Sequence, residues 1–191
     1  ESTAILTGDA LNSFGFYLSA KLQGNYGENF IRDLLKILHE GAGGPGMVSG
    51  QMEDIFYENK KDLYSETILH EIHSKKTGAL ITSSILIGNR LQENWEESES
   101  LLRQYGDKIG MLFQITDDIL DEEGSAKEIG KTPGKDKVMG KLTFPYIYGM
   151  DKSKKIRDEL ALELESLSKY LESEEEIFFK ELPAYLAKRK N

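Results

Sequence analysis

Three aspartates inside an apolar segment are the residues of this sequence best suited to chemistry. Asp117, Asp118 and Asp121 lie in GMLFQITDDILDEEG, which spans residues 110–124. In a helix, spacings of three and four residues place their carboxylates on one face, and Gln114 lies one turn earlier on that face. Apolar side chains cover most of the remaining circumference, so we expect a buried segment: Ile109, Leu112, Phe113, Ile115, Ile119 and Leu120.

Such a cluster favours a bound cation. The carboxylates repel one another and lose hydration, and we predict that they lie near a helix C-terminus, where the helix dipole disfavours anions. Oxygen ligands without a nearby His or Cys suit Mg²⁺, which also binds phosphate oxygens and water. An exposed acidic helix end is the alternative. An EF-hand loop is excluded, because the third and sixth positions counted from Asp117 are Ile119 and Glu122.

The segment after the acids contains the cations that a phosphate site needs. It reads GKTPGKDKVMGKLTFP over residues 130–145. Glycines let backbone amides approach a phosphate closely, and lysines act as movable positive charges. A solvated lysine-rich loop is the alternative, and the spacing is not that of a Walker loop. The charged residues of this segment are Lys131, Lys135, Asp136, Lys137 and Lys141.

Two shorter segments could add to the same site. Lys76 and Thr77 precede a run of small and apolar residues, where they could reach an anion inside a helical bundle, although a lysine extending to the surface fits equally well. Gln51 and Asp54 are three residues apart, so we place them on one helical face.

The histidines do not form a zinc site. His70 and His73 lack the four-residue spacing of a zinc-binding helix, and no other residue completes a site. We interpret both of them, and His39, as structural or exposed.

The elements that position these residues are predicted to be helices within a single domain, residues 1–191. The sequence has four prolines and long stretches with apolar residues three and four apart. We predict helices over residues 4–22, 29–39, 47–57, 65–91 and 97–121, a loop around residues 24–27 and a polar loop over residues 122–140. Three shorter helices begin near Thr143, Lys152 and Glu174.

Composition limits the function. Hydrophobic residues make up 39% and charged residues 30% of the 191 residues, as in ordinary globular domains. The net charge of −9, without a dense basic face, argues against a nucleic-acid partner. No apolar run has membrane-spanning length. The absence of cysteine excludes disulfides and a cysteine nucleophile and fits a reducing compartment, so we expect a cytoplasmic protein.

The ordered motifs resemble one family, the trans-type polyprenyl diphosphate synthases, and most of all the bacterial farnesyl and geranylgeranyl diphosphate synthases. FQITDDILD with the following lysine segment resembles the second aspartate-rich motif of that family, and KTGALI resembles its KT motif. GMVSGQMEDI is similar to the family's GMVGGQ-x-x-D segment, with Ser49 where glycine is usual. ESTAILTGDAL and LPAYLAKRKN, at the two ends of the sequence, also resemble family segments.

The resemblance implies an all-α fold, a helical bundle around a central cavity, and a Mg²⁺-dependent prenyl transfer. Isopentenyl diphosphate and an allylic diphosphate would be the substrates, farnesyl diphosphate the expected product, and a homodimer the expected assembly. The implied roles are metal binding by Asp117, Asp118 and Asp121, and allylic diphosphate binding by Lys76, Thr77, Gln114, Lys131 and Lys141. Gln51 and Asp54 would face the cavity, and Asp136 would act through water.

One departure from the family is expected to matter. The family has a first aspartate-rich motif upstream of the segment that resembles residues 2–11, and this sequence begins with Glu1 after that point. We expect that an upstream part is missing and that residues 1–191 alone are inactive. The alternatives are a non-catalytic subunit of a heteromeric synthase, a helical scaffold protein, a terpene cyclase, or a synthase that makes geranylgeranyl diphosphate.

Overall fold

The computed structural model describes residues 2–127, 140–171 and 176–189, and every regular element in these ranges is helical. The all-α prediction is therefore confirmed for the described residues. The α-helices are α1 (Ser2–Lys21), α2 (Gln23–Ala42), α3 (Met47–Tyr57), α4 (Glu66–His73), α5 (Ala79–Asn89), α6 (Trp95–Lys127), α7 (Phe144–Tyr148), α8 (Met150–Ser168) and α9 (Glu176–Lys188).

Helices α4 and α5 form one continuous helical segment, as predicted, but a π-helical turn at Ser74–Gly78 joins them. The segment begins at a capped end, since the hydroxyl of Ser65 accepts a hydrogen bond from the Ile68 amide at 3.3 Å. The π-helix occurs mostly as single turns within α-helices, and these turns are frequently found at functional sites. Here the turn contains Lys76 and Thr77, which the sequence analysis assigned to a diphosphate site.

Two predicted loops are wrong in their bounds. The loop expected near residues 24–27 is mostly helical, and the change of direction is concentrated at Gly27, whose φ of 77° glycine adopts readily. Helix α6 continues to Lys127 rather than ending at Asp121. Lys154 of α8 pairs with Glu123 at 2.5 Å, a tertiary contact that local propensity could not reveal. The three aspartates therefore lie inside the helix, beyond the reach of the C-terminal dipole.

Helix α6 lies at the centre of the core and packs against α5, α8 and α9. One apolar cluster surrounds its first half, where the Tyr105 hydroxyl donates to the Phe179 carbonyl at 2.6 Å. A second cluster surrounds Ile115 and Ile119 and joins α4 to α7 through Leu69 and Phe144. Of the six apolar residues expected to be buried around the aspartates, Ile109, Leu112, Ile115 and Ile119 are buried, whereas Phe113 and Leu120 are partly exposed.

Close glycine contacts bring α3 and α6 against the π turn. A Cβ atom at Gly50 of α3 would lie 2.2 Å from the backbone nitrogen of Lys76, and one at Gly110 of α6 would lie 2.5 Å from Cα of Gly78. Both distances are far below van der Waals contact, so the observed packing requires glycine at these positions. The two contacts set the distances between α3, the π turn and α6.

Helix α1 differs from the rest of the described fold, because it packs mainly against α2 and leaves most of its apolar side chains exposed. The exposed residues include Ile5, Leu6, Leu11, Phe14, Tyr17 and Leu18. Across the described ranges, no helix combines the length and the apolar character needed to cross a membrane.

Candidate functional site

The π turn places Lys76 beside a carboxylate of α3. Its Nζ donates to Oδ2 of Asp54 at 2.6 Å, an ion pair that is mostly shielded from solvent. The close approach at Gly50 makes this short distance possible. The structure thus brings together two residues that the sequence analysis placed in the same site, whereas Gln51 has an exposed side chain.

A chain of hydrogen bonds runs from the π turn to the second aspartate. The Thr77 hydroxyl donates to Oε1 of Gln114 at 2.9 Å, and Nε2 of Gln114 donates to Oδ1 of Asp118 at 3.1 Å. The other oxygen of Asp118 accepts a hydrogen bond from the Phe144 amide at 2.9 Å. The buried carboxylate therefore links α6 to the first residue of α7 and, through Gln114, to Thr77.

His73 lies against the same carboxylate. This buried side chain places Nε2 at 3.7 Å from Oδ2 of Asp118, and its ring stacks on Phe144 with the ring centroids 5.6 Å apart. Burial, with smaller contributions from the charges of His70 and Lys76, lowers the pKa of His73 to about 3. The imidazole is therefore neutral near neutral pH. The structural interpretation of this histidine fits its burial, but the sequence did not indicate its position beside Asp118.

Asp117 has a different environment. Its side chain is exposed and accepts a hydrogen bond at Oδ1 from Arg189 at 2.5 Å. The guanidinium of Arg189, just beyond α9, lies 4.1 Å from the ring centroid of Phe113, one turn before Asp117. Arg189 was not predicted, because the sequence marks it only by its place in LPAYLAKRKN, the segment that resembles the end of the family sequence.

Asp121 faces the segment that follows the lysine-rich loop. A pocket of about 280 Å³ is lined by Asp118, Asp121, Glu122, Lys141, Thr143, Pro145 and Tyr146. Two of the three aspartates and the last lysine of the predicted phosphate segment thus surround one cavity. A pocket of this size with charged side chains of both signs in its lining could hold a hydrated cation together with an anion.

Comparison with known proteins identifies the family. The sequence profile described as polyprenyl synthetase matches residues 1–179. The chain belongs to the polyprenyl synthetase family. It is 36% identical to a chloroplastic geranylgeranyl pyrophosphate synthase of Catharanthus roseus over 192 residues, covering 100% of this chain and 53% of that protein. It is 40% identical to a farnesyl diphosphate synthase of Haemophilus influenzae over 162 residues, covering 84% of this chain and 54% of that protein.

The fold is also that of this family. A geranyltransferase from Helicobacter pylori, solved as a complex with magnesium and isoprenyl diphosphate, matches with a TM-score of 0.78 and 30% identity. The match covers 97% of this chain and 59% of that structure. The predicted isoprenoid-synthase-type bundle is therefore confirmed. This polyprenyl synthetase chain spans about half the length of the curated relatives it matches.

The arrangement of acidic side chains in this polyprenyl synthetase chain suits magnesium, which shares its coordination with water and phosphate. It does not suit a metal that is coordinated by protein side chains alone. Within residues 2–127, 140–171 and 176–189, no three His, Asp or Glu side chains converge on a point that could hold a metal ion. Magnesium needs only one or two carboxylates, because water and substrate phosphates complete its coordination. Asp121 lines the pocket with Lys141, whereas Asp117 is exposed, is absent from the pocket lining and pairs with Arg189.

The predictions for the middle of the lysine-rich segment lie outside the described residues. These are the diphosphate contact of Lys131 and the role of Asp136 through water, and the neighbouring Lys135 and Lys137 share this position. Of the lysines named in this segment, only Lys141 falls within the described ranges.

Proposed function

We propose that the complete protein is a prenyl transferase that condenses isopentenyl diphosphate with an allylic diphosphate, geranyl or dimethylallyl. The observation that carries the proposal is the arrangement of charges in the site. Thr77 is joined through Gln114 to Asp118, which shares a pocket with Asp121 and Lys141, and the adjacent Lys76 is held by Asp54. The names of the relatives, which are farnesyl, geranylgeranyl and geranyl transferases, support the same reaction class.

We assign the residues to two roles according to their charge. Lys76, Lys131 and Lys141 bind the allylic diphosphate, Thr77 and Gln114 hold their neighbours in place, and Asp117, Asp118 and Asp121 form the acidic side of a magnesium site. Gln51 and Asp54 lie on α3, which packs against the π turn. Magnesium, when bound, would neutralise negative charge on the leaving diphosphate.

In the reaction, the allylic C–O bond breaks and its electron pair leaves with the diphosphate. The double bond of isopentenyl diphosphate then forms the new C–C bond, and a proton is lost. The chain's contribution is mainly electrostatic, since preorganised lysines stabilise charge that develops as the bond breaks. Charge stabilisation of this kind does not require a catalytic histidine, which agrees with the neutral, buried state of His73.

The product and the assembly belong to the same proposal. We assign farnesyl diphosphate as the product, although the relatives include geranylgeranyl synthases as well. A homodimer is proposed because the family resemblance implies one and because α1 exposes many large apolar side chains, a type of surface that monomers rarely leave uncovered.

The proposal is tested by Asp117→Ala in the complete protein. We expect prenyl transfer at saturating magnesium to fall about a hundredfold or more, which is typical for the loss of one electrostatic stabiliser of a transition state. Asp158→Ala is a matched control, because Asp158 is another helical aspartate paired with an arginine and has similar exposure, 61% against 56%.

Activity with isopentenyl and geranyl diphosphates, product analysis by mass spectrometry, and circular dichroism are the measurements. Unchanged turnover in Asp117→Ala would remove Asp117 from the site. Lack of condensation by the wild-type protein would reject the proposed reaction, and a product longer than farnesyl diphosphate would reject the product assignment alone.

A further inference from the structure

The imidazole of His73 is buried beside the buried carboxylate of Asp118, and packing alone does not explain why a histidine lies there. His73 is the last residue of α4 and lies directly before the π turn that contains Lys76 and Thr77. Its Nδ1 is buried and lacks a hydrogen-bond partner among the described residues. A buried unsatisfied nitrogen is unfavourable, so an apolar ring would fill this position at lower cost if packing were the only requirement.

The contacts of His73 converge on one oxygen of Asp118. Phe144 donates its amide to Oδ2, and the same residue provides the ring on which His73 stacks. Nε2 of His73 lies 3.7 Å from that oxygen, within reach of a hydrogen bond after a small movement of either side chain. The neutral imidazole can carry its proton on Nε2 and donate in that direction.

We infer that His73 is a positioning residue, which fixes the Asp118 carboxylate at the junction of α4, α6 and α7 through its Nε2 and its stacked ring. This inference rests on the proposed function, since it gives the carboxylate a purpose in the magnesium and diphosphate site.

The location explains why one fixed carboxylate matters for the whole site. Asp118 lies between Asp117 and Asp121 on α6, and α7 begins directly after the segment that contains Lys141. On α4 and the π turn, His73 is three residues before Lys76. A displaced Asp118 would therefore change the spacing between the lysine of the π turn, the acids of α6 and the start of α7. Partners that orient metal ligands typically affect metal affinity 10–100-fold.

The test uses three substitutions in the complete protein. His73→Gln retains an amide nitrogen close to the position of Nε2, His73→Asn has an amide that is too short to reach Asp118, and His73→Phe retains the stacked ring without any nitrogen. A packing role predicts that Phe is tolerated best. A positioning role predicts that Gln is tolerated best.

The main measurement is the affinity for magnesium in the presence of a non-reactive allylic diphosphate analogue, determined by calorimetry. The melting temperature of each variant is measured as well. We expect affinity to fall about tenfold in His73→Phe and His73→Asn and to stay within about twofold in His73→Gln. His70→Phe is the matched control, because His70 also contacts the Phe144 ring, at 5.3 Å, but bonds to Tyr148 instead of Asp118. It should bind magnesium like the wild type.

Wild-type magnesium affinity in His73→Phe would overturn the inference. If that variant does not fold, the Gln and Asn variants decide, and equal affinity in both would overturn it. A different result would reject the proposed function itself: a wild-type protein that binds neither magnesium nor the analogue.

Discussion

At the level of single residues, Lys76 is held in place by Asp54 at 2.6 Å before any anion binds. An ammonium group has three donors, so it can keep the carboxylate and still contact a phosphate oxygen. The carboxylate also restricts the flexible side chain, which reduces the entropy lost when an anion binds. Lys76 is therefore a preorganised cation.

Lys76→Ala should weaken the binding of a non-reactive allylic diphosphate analogue. The loss of a charge-assisted hydrogen bond costs roughly 1.5–3 kcal/mol, which corresponds to about a 10–100-fold change in affinity. Lys131→Ala is expected to have an effect of the same size. Lys75→Ala is the control, because this adjacent lysine has similar exposure, 30% against 28%, but is bound by Glu53 and Glu71.

Calorimetric titration of the three variants measures this difference. Equal weakening by Lys75→Ala and Lys76→Ala would show that only the net charge of the helix matters. Unchanged affinity in Lys76→Ala would place the diphosphate elsewhere.

Residues whose type and neighbours were informative in the sequence are close together in the structure. Lys76, Thr77, Gln114 and Asp118 were all predicted, and the structure joins the last three by hydrogen bonds. Arg189 was missed because its partner, Asp117, is 72 residues away and no local pattern records such a contact. The position of His73 beside Asp118 was missed for the same reason, since stacking on Phe144 depends on tertiary structure.

At the level of helices, three glycines determine how closely the site can be assembled. Gly50 meets the backbone of Lys76, and Gly110 meets Gly78. Larger side chains would separate α3 and α6 from the π turn and lengthen the contacts of Lys76 and Thr77. The segment GMVSGQ thus has a packing role, besides any role of Gln51 in the cavity.

Gly50→Ala should lower stability by about 1–3 kcal/mol, the usual cost of overpacking, because the new methyl group meets backbone atoms that cannot rotate away. Gly88→Ala is the control. Gly88 lies inside α5 with nothing within 4 Å of the added carbon, so alanine should be neutral or stabilise by up to about 1 kcal/mol.

Urea unfolding of both variants, with analogue affinity measured beside it, separates the effects. Wild-type stability in Gly50→Ala would show that α3 can move away from the π turn without cost.

The ends of a helix could be predicted where nearby residues in the sequence cap or break the helix. The predicted ends were unreliable where contacts with distant parts of the chain determine how far the helix extends. Met47–Tyr57 was predicted to the residue, after a glycine-rich segment. The end of α6 was placed six residues too early, because Gly124 and the charged residues around it resemble a loop. Lys154 of α8 pairs with Glu123 in this segment, a contact that is invisible in the local sequence.

At the level of the whole molecule, α1 is the element whose environment the described chain does not complete. Its large apolar side chains lie around the helix rather than along one face and remain exposed, and α2 is the main element that packs against it. Such a surface is typical of a protein interface. We expect the missing upstream part of the protein to cover some of this surface and propose a second copy of the chain for the rest, which makes the oligomeric state a direct test.

Leu11→Glu in the complete protein should convert a dimer into a monomer, because a carboxylate buried in an apolar interface loses hydration without gaining a partner. Leu162→Glu is the matched control, since both leucines are 65% exposed and lie on helices, but Leu162 is on α8, away from the α1 surface. Light scattering coupled to size-exclusion chromatography gives the solution mass. We expect twice the chain mass for the wild type and Leu162→Glu, and a single chain mass for Leu11→Glu. A monomeric wild type would contradict the homodimer, and a dimeric Leu11→Glu variant would place its interface on another surface.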